Sequence, residues 1–157
     1  MSGVITLTKM NDEEYLQWIA RSRENYRDEN VKNGMTLAEA QKKSDDDFLR
    51  ILPDGLKSAD QYIFAIKENG TDWIGTIWFG VRGAVDNRKA FIYDVVLEEA
   101  TRGKGYGKKT MELLENEVKK LGLRHIGLHV FGHNKIARNL YEKMGYGVTN
   151  LVLEKVL

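Results

Sequence analysis

The chain predicts one α/β domain with the element order β-α-α-β-β-β-α-β-α-β, and three local signals carry that expectation. Two capping boxes, Asn11-x-x-Glu14 and Thr36-x-x-Glu39, each open a stretch of helical spacing. Asn69-Gly70 lies between two runs rich in β-branched and aromatic residues, as at the tip of a hairpin. A glycine-rich turn with Gly103, Gly105 and Gly107 separates a third β-rich run from a segment whose apolar residues fall three and four apart.

In order, the alternation and β-branching of residues 4–8 favour an opening strand. The first helix follows Asn11, carries Tyr15, Trp18, Ile19 and Ser22 on one face to about Asn30, and Gly34 ends it or its loop. The second follows Thr36, carries Phe48, Leu49 and Leu52, and stops at Pro53-Asp54-Gly55, because proline cannot continue a helix. Residues 62–66 and 73–79 form the hairpin, 83–89 a polar loop, and 91–97 the central strand. From Thr110, the spacing of Met111, Leu114, Val118 and Leu121 makes an amphipathic helix closed by Gly122. Residues 125–130 are the next strand, a helix begins at Asn134, and a last strand closes the chain.

Composition limits function. At 157 residues, 42% hydrophobic and 30% charged, the chain suits one packed domain and is short for two. Lys+Arg 24 against Asp+Glu 23 leaves a net charge of +1, so no global field recruits nucleic acid or an anionic membrane, and neither partner is expected. With no cysteine there is no disulfide, thiolate nucleophile or thiolate metal site. The first residues lack a signal-peptide pattern and no apolar run approaches the ~20 residues that span a bilayer, so the expected location is cytoplasmic.

The turn Arg102-Gly103-Lys104-Gly105-Tyr106-Gly107-Lys108-Lys109 has the chemistry of an anion site. Glycines let a ligand approach the backbone, the free N–H groups of a first helical turn point at phosphate oxygens, and the cations add charge. A solvated basic turn is the alternative. A Walker A loop ends in Gly-Lys-Ser/Thr, whereas this one ends Gly107-Lys108-Lys109, and the dinucleotide spacing puts Lys108 where glycine is required.

What the turn does match is Arg-x-x-Gly-x-Gly after a strand, which resembles the pyrophosphate loop of the GNAT superfamily of acyl-CoA-dependent N-acetyltransferases. Residues 134–146, Asn-Lys-Ile-Ala-Arg-Asn-Leu-Tyr-Glu-Lys-Met-Gly-Tyr, resemble the family's second block, Asn-x-x-Ala-x-x-Leu-Tyr-x-x-x-Gly-Phe/Tyr, and the two blocks with their strands cover about residues 90–157. The resemblance implies a central mixed, mostly antiparallel sheet flanked by about four helices. It implies acetyl-CoA as cosubstrate, with pyrophosphate on Arg102, Gly103, Lys104, Gly105, Tyr106, Gly107 and Lys108 and the pantetheine arm along the backbone of Val95, Val96 and Leu97. Asn134 caps its helix on general grounds and by resemblance contacts the arm; Tyr141, two turns on, corresponds to the general acid for the departing thiolate.

An alkylammonium with a pKa near ~10.4 is only about 0.1% neutral at pH 7.4, so a base or water relay is needed. His129 is the first candidate, on the strand face opposite Ile126, Leu128 and Val130, where some members carry a catalytic glutamate. On the central strand Tyr93 stands where many members have glutamate; Asp94 is expected on the opposite face, serving structure ahead of catalysis. His125, His129 and His133 would align on a helix but not on a strand leading into a turn, so no metal is expected. Asp45-Asp46-Asp47 reads as a solvated helical face or an attractor of cationic substrate, and Trp18, Tyr26, Trp73 and Trp78 as pocket or core.

The expected activity is acetyl transfer from acetyl-CoA to a small-molecule or peptide amine by direct attack in a ternary complex. The alternatives are a non-catalytic acyl-CoA-binding regulatory module of the same fold and, more remotely, a nucleic-acid module built on the basic loop. A homodimer is possible, and the acceptor is open because its determinants lie in the variable first half.

Overall fold

The computed structural model describes residues 3–157. Its elements are β1 (Ile5–Lys9), α1 (Asp12–Lys32), α2 (Leu37–Ile51), β2 (Gln61–Glu68), β3 (Asp72–Arg82), β4 (Lys89–Leu97), α3 (Tyr106–Lys120), β5 (Ile126–Leu128) and α4 (Lys135–Lys143). The five strands form one sheet in sequential order; β1 to β4 are antiparallel and β5 runs parallel to β4.

Both capping boxes close reciprocally. Asn11 Oδ1 accepts the Glu14 N–H at 2.8 Å while Glu14 accepts the Asn11 N–H, and Thr36 and Glu39 repeat the arrangement. Each satisfies donors that a helix start leaves free. At the hairpin tip, a three-residue connection from Glu68 to Asp72, Asn69 and Gly70 both have positive φ, 51° and 79°, and the Thr71 N–H closes the turn on the Glu68 carbonyl at 3.2 Å.

Helices cover both faces of the sheet. On one, α1 and α2 bury Trp18, Phe48, Leu52, Ile63 and Trp78; on the other, α3 packs Met111, Leu114 and Val118 against Ile66, Ile77 and Phe79. Phe79, Ile66, Ile77, Met111 and Leu114 are fully enclosed, so apolar burial fixes α3 to the sheet. Among the described residues no helix is long and apolar enough to cross a membrane.

Three elements depart from the sequence expectation. α3 begins at Tyr106, not near Thr110: Gly105 supplies the left-handed N-cap at φ 78°, and Tyr106 turns inward. Its hydroxyl donates to Glu68 and accepts the Gly3 N–H at 2.6 Å, tying the helix start to β2 and the N-terminal segment. The strand expected over 125–130 is paired only over Ile126–Leu128, opposite Ala90, Phe91 and Ile92. The final expected strand is not formed: residues 147–157 are exposed and have no ladder partner, the neighbouring edge strand β5 being only three residues long.

One irregularity positions the site. Trp78 pairs with Asp94 but its neighbour Phe79 pairs with Ile92, so Tyr93 is an extra residue in β4, a β-bulge. A bulge breaks the two-residue alternation, and it leaves Tyr93 and Asp94 on one side of the sheet. The Tyr93 ring stacks on Trp78 at 4.5 Å between centroids, and Gly80 makes room, since a Cβ there would lie 2.9 Å from the ring.

Candidate active site

Beyond Ile92 no pairing joins β4 to β5, so β4 keeps its β3 ladder to Leu97 while its other edge is free from Tyr93 onward. A cleft of about 430 Å³ opens there, walled by α1 and α2 on one side and by β5, the following loop and α4 on the other. It collects Val95, His129, Asn134 and Tyr141, four of the expected site residues, together with Tyr93 and Asp94.

Asp94 is on the floor. It keeps a strip of accessible surface toward the cleft while protein atoms enclose its carboxyl, and this desolvation pushes its pKa up to about 6. Ser22 Oγ at 3.4 Å and the Val95 N–H oppose the rise without cancelling it, and the buried Trp18 indole N–H faces the carboxyl without a well-formed hydrogen bond. The expectation that Asp94 points away from Tyr93 is therefore corrected by the bulge, which a strict alternation could not foresee.

Tyr141 projects from α4 into the same cleft, seven residues and two turns after Asn134. Asn134 Oδ1 accepts the Ala137 N–H at 3.3 Å as the helix cap. Burial raises the Tyr141 pKa and the nearby Asp94 charge raises it further.

His129 lies past the end of β5 rather than within a strand, exposed at the cleft rim with its ring edge-on to Phe131. The other histidines diverge: His133 meets Glu29 of α1 at 2.7 Å, and His125 lines a separate groove beside α3. Among the described residues no cluster of three or more His, Asp or Glu is placed to hold a metal ion.

The glycine-rich loop does not line the cleft; it lies past the far end of β4. Gly103 and Gly105 have positive φ, and a Cβ on either would meet nothing within 4 Å. Arg102 and Lys108 are exposed, Lys104 is exposed but lies 3.6 Å from Glu68, and among the described residues no side chain caps the first turn of α3. That leaves backbone donors and cations facing solvent, as an anion site requires. Tyr106 differs from expectation in being a core side chain, and Gly107 lies inside α3 where a Cβ would meet Leu140 of α4 at 3.5 Å. Val96 is exposed and Leu97 half-buried at the same end of β4.

The acidic run is not free to attract cations. Asp45 pairs with Arg23 at 2.6 Å, Asp46 with Lys42, and Asp47 takes Lys43 at 3.0 Å, Arg50 at 3.3 Å and the Tyr26 hydroxyl at 2.7 Å. Tyr26 lines the cleft, Trp78 is a core residue that also borders it, and Trp18 is core alone.

Residues 13–146 match the family model described as the acetyltransferase (GNAT) family. The chain is 38% identical to the uncharacterized N-acetyltransferase YycN of Bacillus subtilis (strain 168), over 98% of this chain and 99% of that protein. It is 34% identical to a second protein of that strain, the uncharacterized N-acetyltransferase YdgE, over 97% and 98%. The crystal structure of YycN superposes with a TM-score of 0.91 over 98% of this chain and 99% of that one. At 15% identity and a TM-score of 0.63, covering 98% of each chain, AAC(6')-Iy in complex with a CoA-containing bisubstrate analogue shares the fold.

Proposed function

The chain belongs to the acetyltransferase (GNAT) family, and from that premise we propose that it transfers an acetyl group from acetyl-CoA to an amine bound in the cleft, by direct attack in a ternary complex. The observation that carries this reading is the meeting of enclosed Asp94 with Tyr141 where β4 parts from β5.

The acceptor nitrogen bonds to the thioester carbonyl carbon, the carbon–sulfur bond breaks with its electron pair on sulfur, Tyr141 gives the thiolate a proton, and the second proton that the nitrogen sheds as it becomes the amide restores the phenol. The ammonium proton that must leave first goes to Asp94, the base we assign in place of His129; His129 at the rim passes protons to solvent. Against water reference values, an ammonium at ~10.4 and a carboxyl at about 6 put this transfer roughly 6 kcal/mol uphill, but in a low-dielectric cleft the neutral acid–amine pair is favoured over the ion pair.

The loop at 102–108 and the open α3 start suit the pyrophosphate, with Tyr106 and Gly107 contributing backbone only, and the free β4 edge at Val95, Val96 and Leu97 suits the pantetheine amides, with Asn134 beside it. A donor at the thioester oxygen on such an edge would stabilise charge growing there, an effect worth about 3 kcal/mol in other enzymes. In this reading Asp94 takes the part of the base that Tyr93 cannot play, and the non-catalytic alternative is the reading in which no group does. The test is free-CoA release against a mixed amine panel, with calorimetric acetyl-CoA binding on the same preparation. Acceptor-dependent release bears the reading out, binding without release from any amine favours the regulatory module, and no binding rejects both.

A further inference from the structure

Charge in the cleft is graded. Its floor holds one carboxylate, Asp94, with no cationic partner among the described residues, whereas at its mouth Lys43 and Arg50 share Asp47, Glu29 is met by His133 and Lys32, and Arg82 makes no ion pair among the described residues. Arg82 is also held in place. Its guanidinium lies 3.6 Å from the Phe91 ring centroid and 4.9 Å from that of Tyr93, and its Nε–H donates to the Tyr93 hydroxyl at 3.0 Å. Stacking immobilises the plane while leaving both terminal NH₂ groups free, the fork that binds carboxylate or phosphate in a bidentate way. An uncharged acceptor gives this arrangement nothing to bind.

We propose that the acceptor carries an anionic group, carboxylate or phosphate, several bonds from its reacting amine, and that Arg82 selects it with help from Arg50 and Lys43. This rests on the acetyltransferase reading for the fate of the amine. The spacing sets the size. Arg82 is four residues along β3 from Trp78, the partner of Asp94, about 14 Å at ~3.4 Å per residue, and its head folds back over Phe91 toward Asp94. An α-amino acid, with one carbon between its charges, is too short to engage both ends; an ω-amino acid or an amino-sugar phosphate is long enough.

The test is initial-rate kinetics on matched pairs, 6-aminohexanoate against 6-aminohexanol and glucosamine 6-phosphate against glucosamine, with the parent protein, Arg82→Ala and Arg82→Lys. The anionic member of at least one pair should show kcat/KM on the order of tenfold or more above its neutral partner, as a charged hydrogen-bonded pair supplies. Which pair responds tells carboxylate from phosphate. Arg82→Ala should erase the preference through KM and leave the neutral amines within about twofold; Arg82→Lys should restore part of it. A parent protein indifferent to the anion, or an Arg82→Ala variant that slows both members alike, overturns the proposal. Calorimetry with N-acetyl-6-aminohexanoate and its alcohol analogue, in the presence of CoA, needs no turnover. Arg82-dependent binding of the acid alone upholds the anion site even if no amine is acetylated, an outcome that counts against the enzymatic reading only, and equal or absent binding of both with no anion preference in rate rejects the site.

Discussion

Replacing Asp94 with asparagine should make the protein more stable and less active at neutral pH. Burial holds this carboxyl at about 6 against an ordinary value of 3.8. The folded state therefore binds a proton between about pH 4 and 6 that the unfolded chain has already released. Stability falls as pH rises through that window, and above it the charged, enclosed carboxylate costs the fold up to about 3 kcal/mol. Asp94→Asn has no charge to bury and keeps the shape. Allowing about 1 kcal/mol for the altered contact with Ser22, the gain at pH 7 is about 2 kcal/mol, or ~4–8 °C in Tm, and below pH 4, where the carboxyl is neutral, it gives way to a loss of about 1 kcal/mol. Losing the base should lower kcat by ~10²–10⁴ and remove the acidic limb of the pH–rate profile near pH 6. Thermal unfolding at pH 4 and 7, paired with free-CoA release from pH 5 to 9, reads both effects. A structural Asp94 gives the opposite pattern: a lower Tm at pH 7 with the acidic limb intact, and that result would refute the argument.

Tyr141→Phe should leave acetyl-CoA affinity by calorimetry within about threefold and lower kcat by ~10² where chemistry limits the rate; unchanged turnover would reject the general-acid role. His129→Ala should flatten the alkaline rise in rate while sparing the acidic limb, as expected of a rim group that relays protons; loss of the acidic limb instead would make His129 the base. Gly105→Ala places a Cβ at φ 78°, which costs about 1 kcal/mol, so Tm should fall by ~2–4 °C and KM for acetyl-CoA should rise, and a wild-type KM would count against loop binding.

Local determinants were the legible ones. Each capping box needs only residues three apart, and the turn at Asn69-Gly70 needs only two positions that tolerate positive φ; all three close as the sequence implies. The pair Asn134 and Tyr141 was legible too, because two helical turns bring them to one face of α4, and both reach the cleft. The bulge at Tyr93 was not. It depends on how β3 pairs with β4, and no local rule places Asp94 beside Tyr93 once the alternation slips. Tyr106 misled for a related reason: between glycines and lysines it looks like loop, and only Glu68 and the Gly3 N–H, both remote in sequence, explain why it turns inward and starts the helix early. Arg82 passed unnoticed because a cation at the end of a strand gains meaning only from the rings beneath it.

The coupling between Asp94 and Tyr141 also orders the proposed events. Part of what keeps Tyr141 protonated is the Asp94 charge, on top of burial. While Asp94 is ionised the phenol is a poor acid for a thiolate whose conjugate thiol titrates near ~8.5. Once Asp94 has taken the ammonium proton that charge is gone, and Tyr141 becomes the better acid at the moment when the thiolate must be protonated. In the proposed reaction thioester cleavage is thus disfavoured until a neutral amine is in place, which would work against futile hydrolysis of acetyl-CoA when no acceptor is bound. The fold supplies this linkage through one irregularity: with regular alternation Asp94 would face away from Tyr93 and the cleft, and the bulge returns it to the side that Tyr141 reaches from α4.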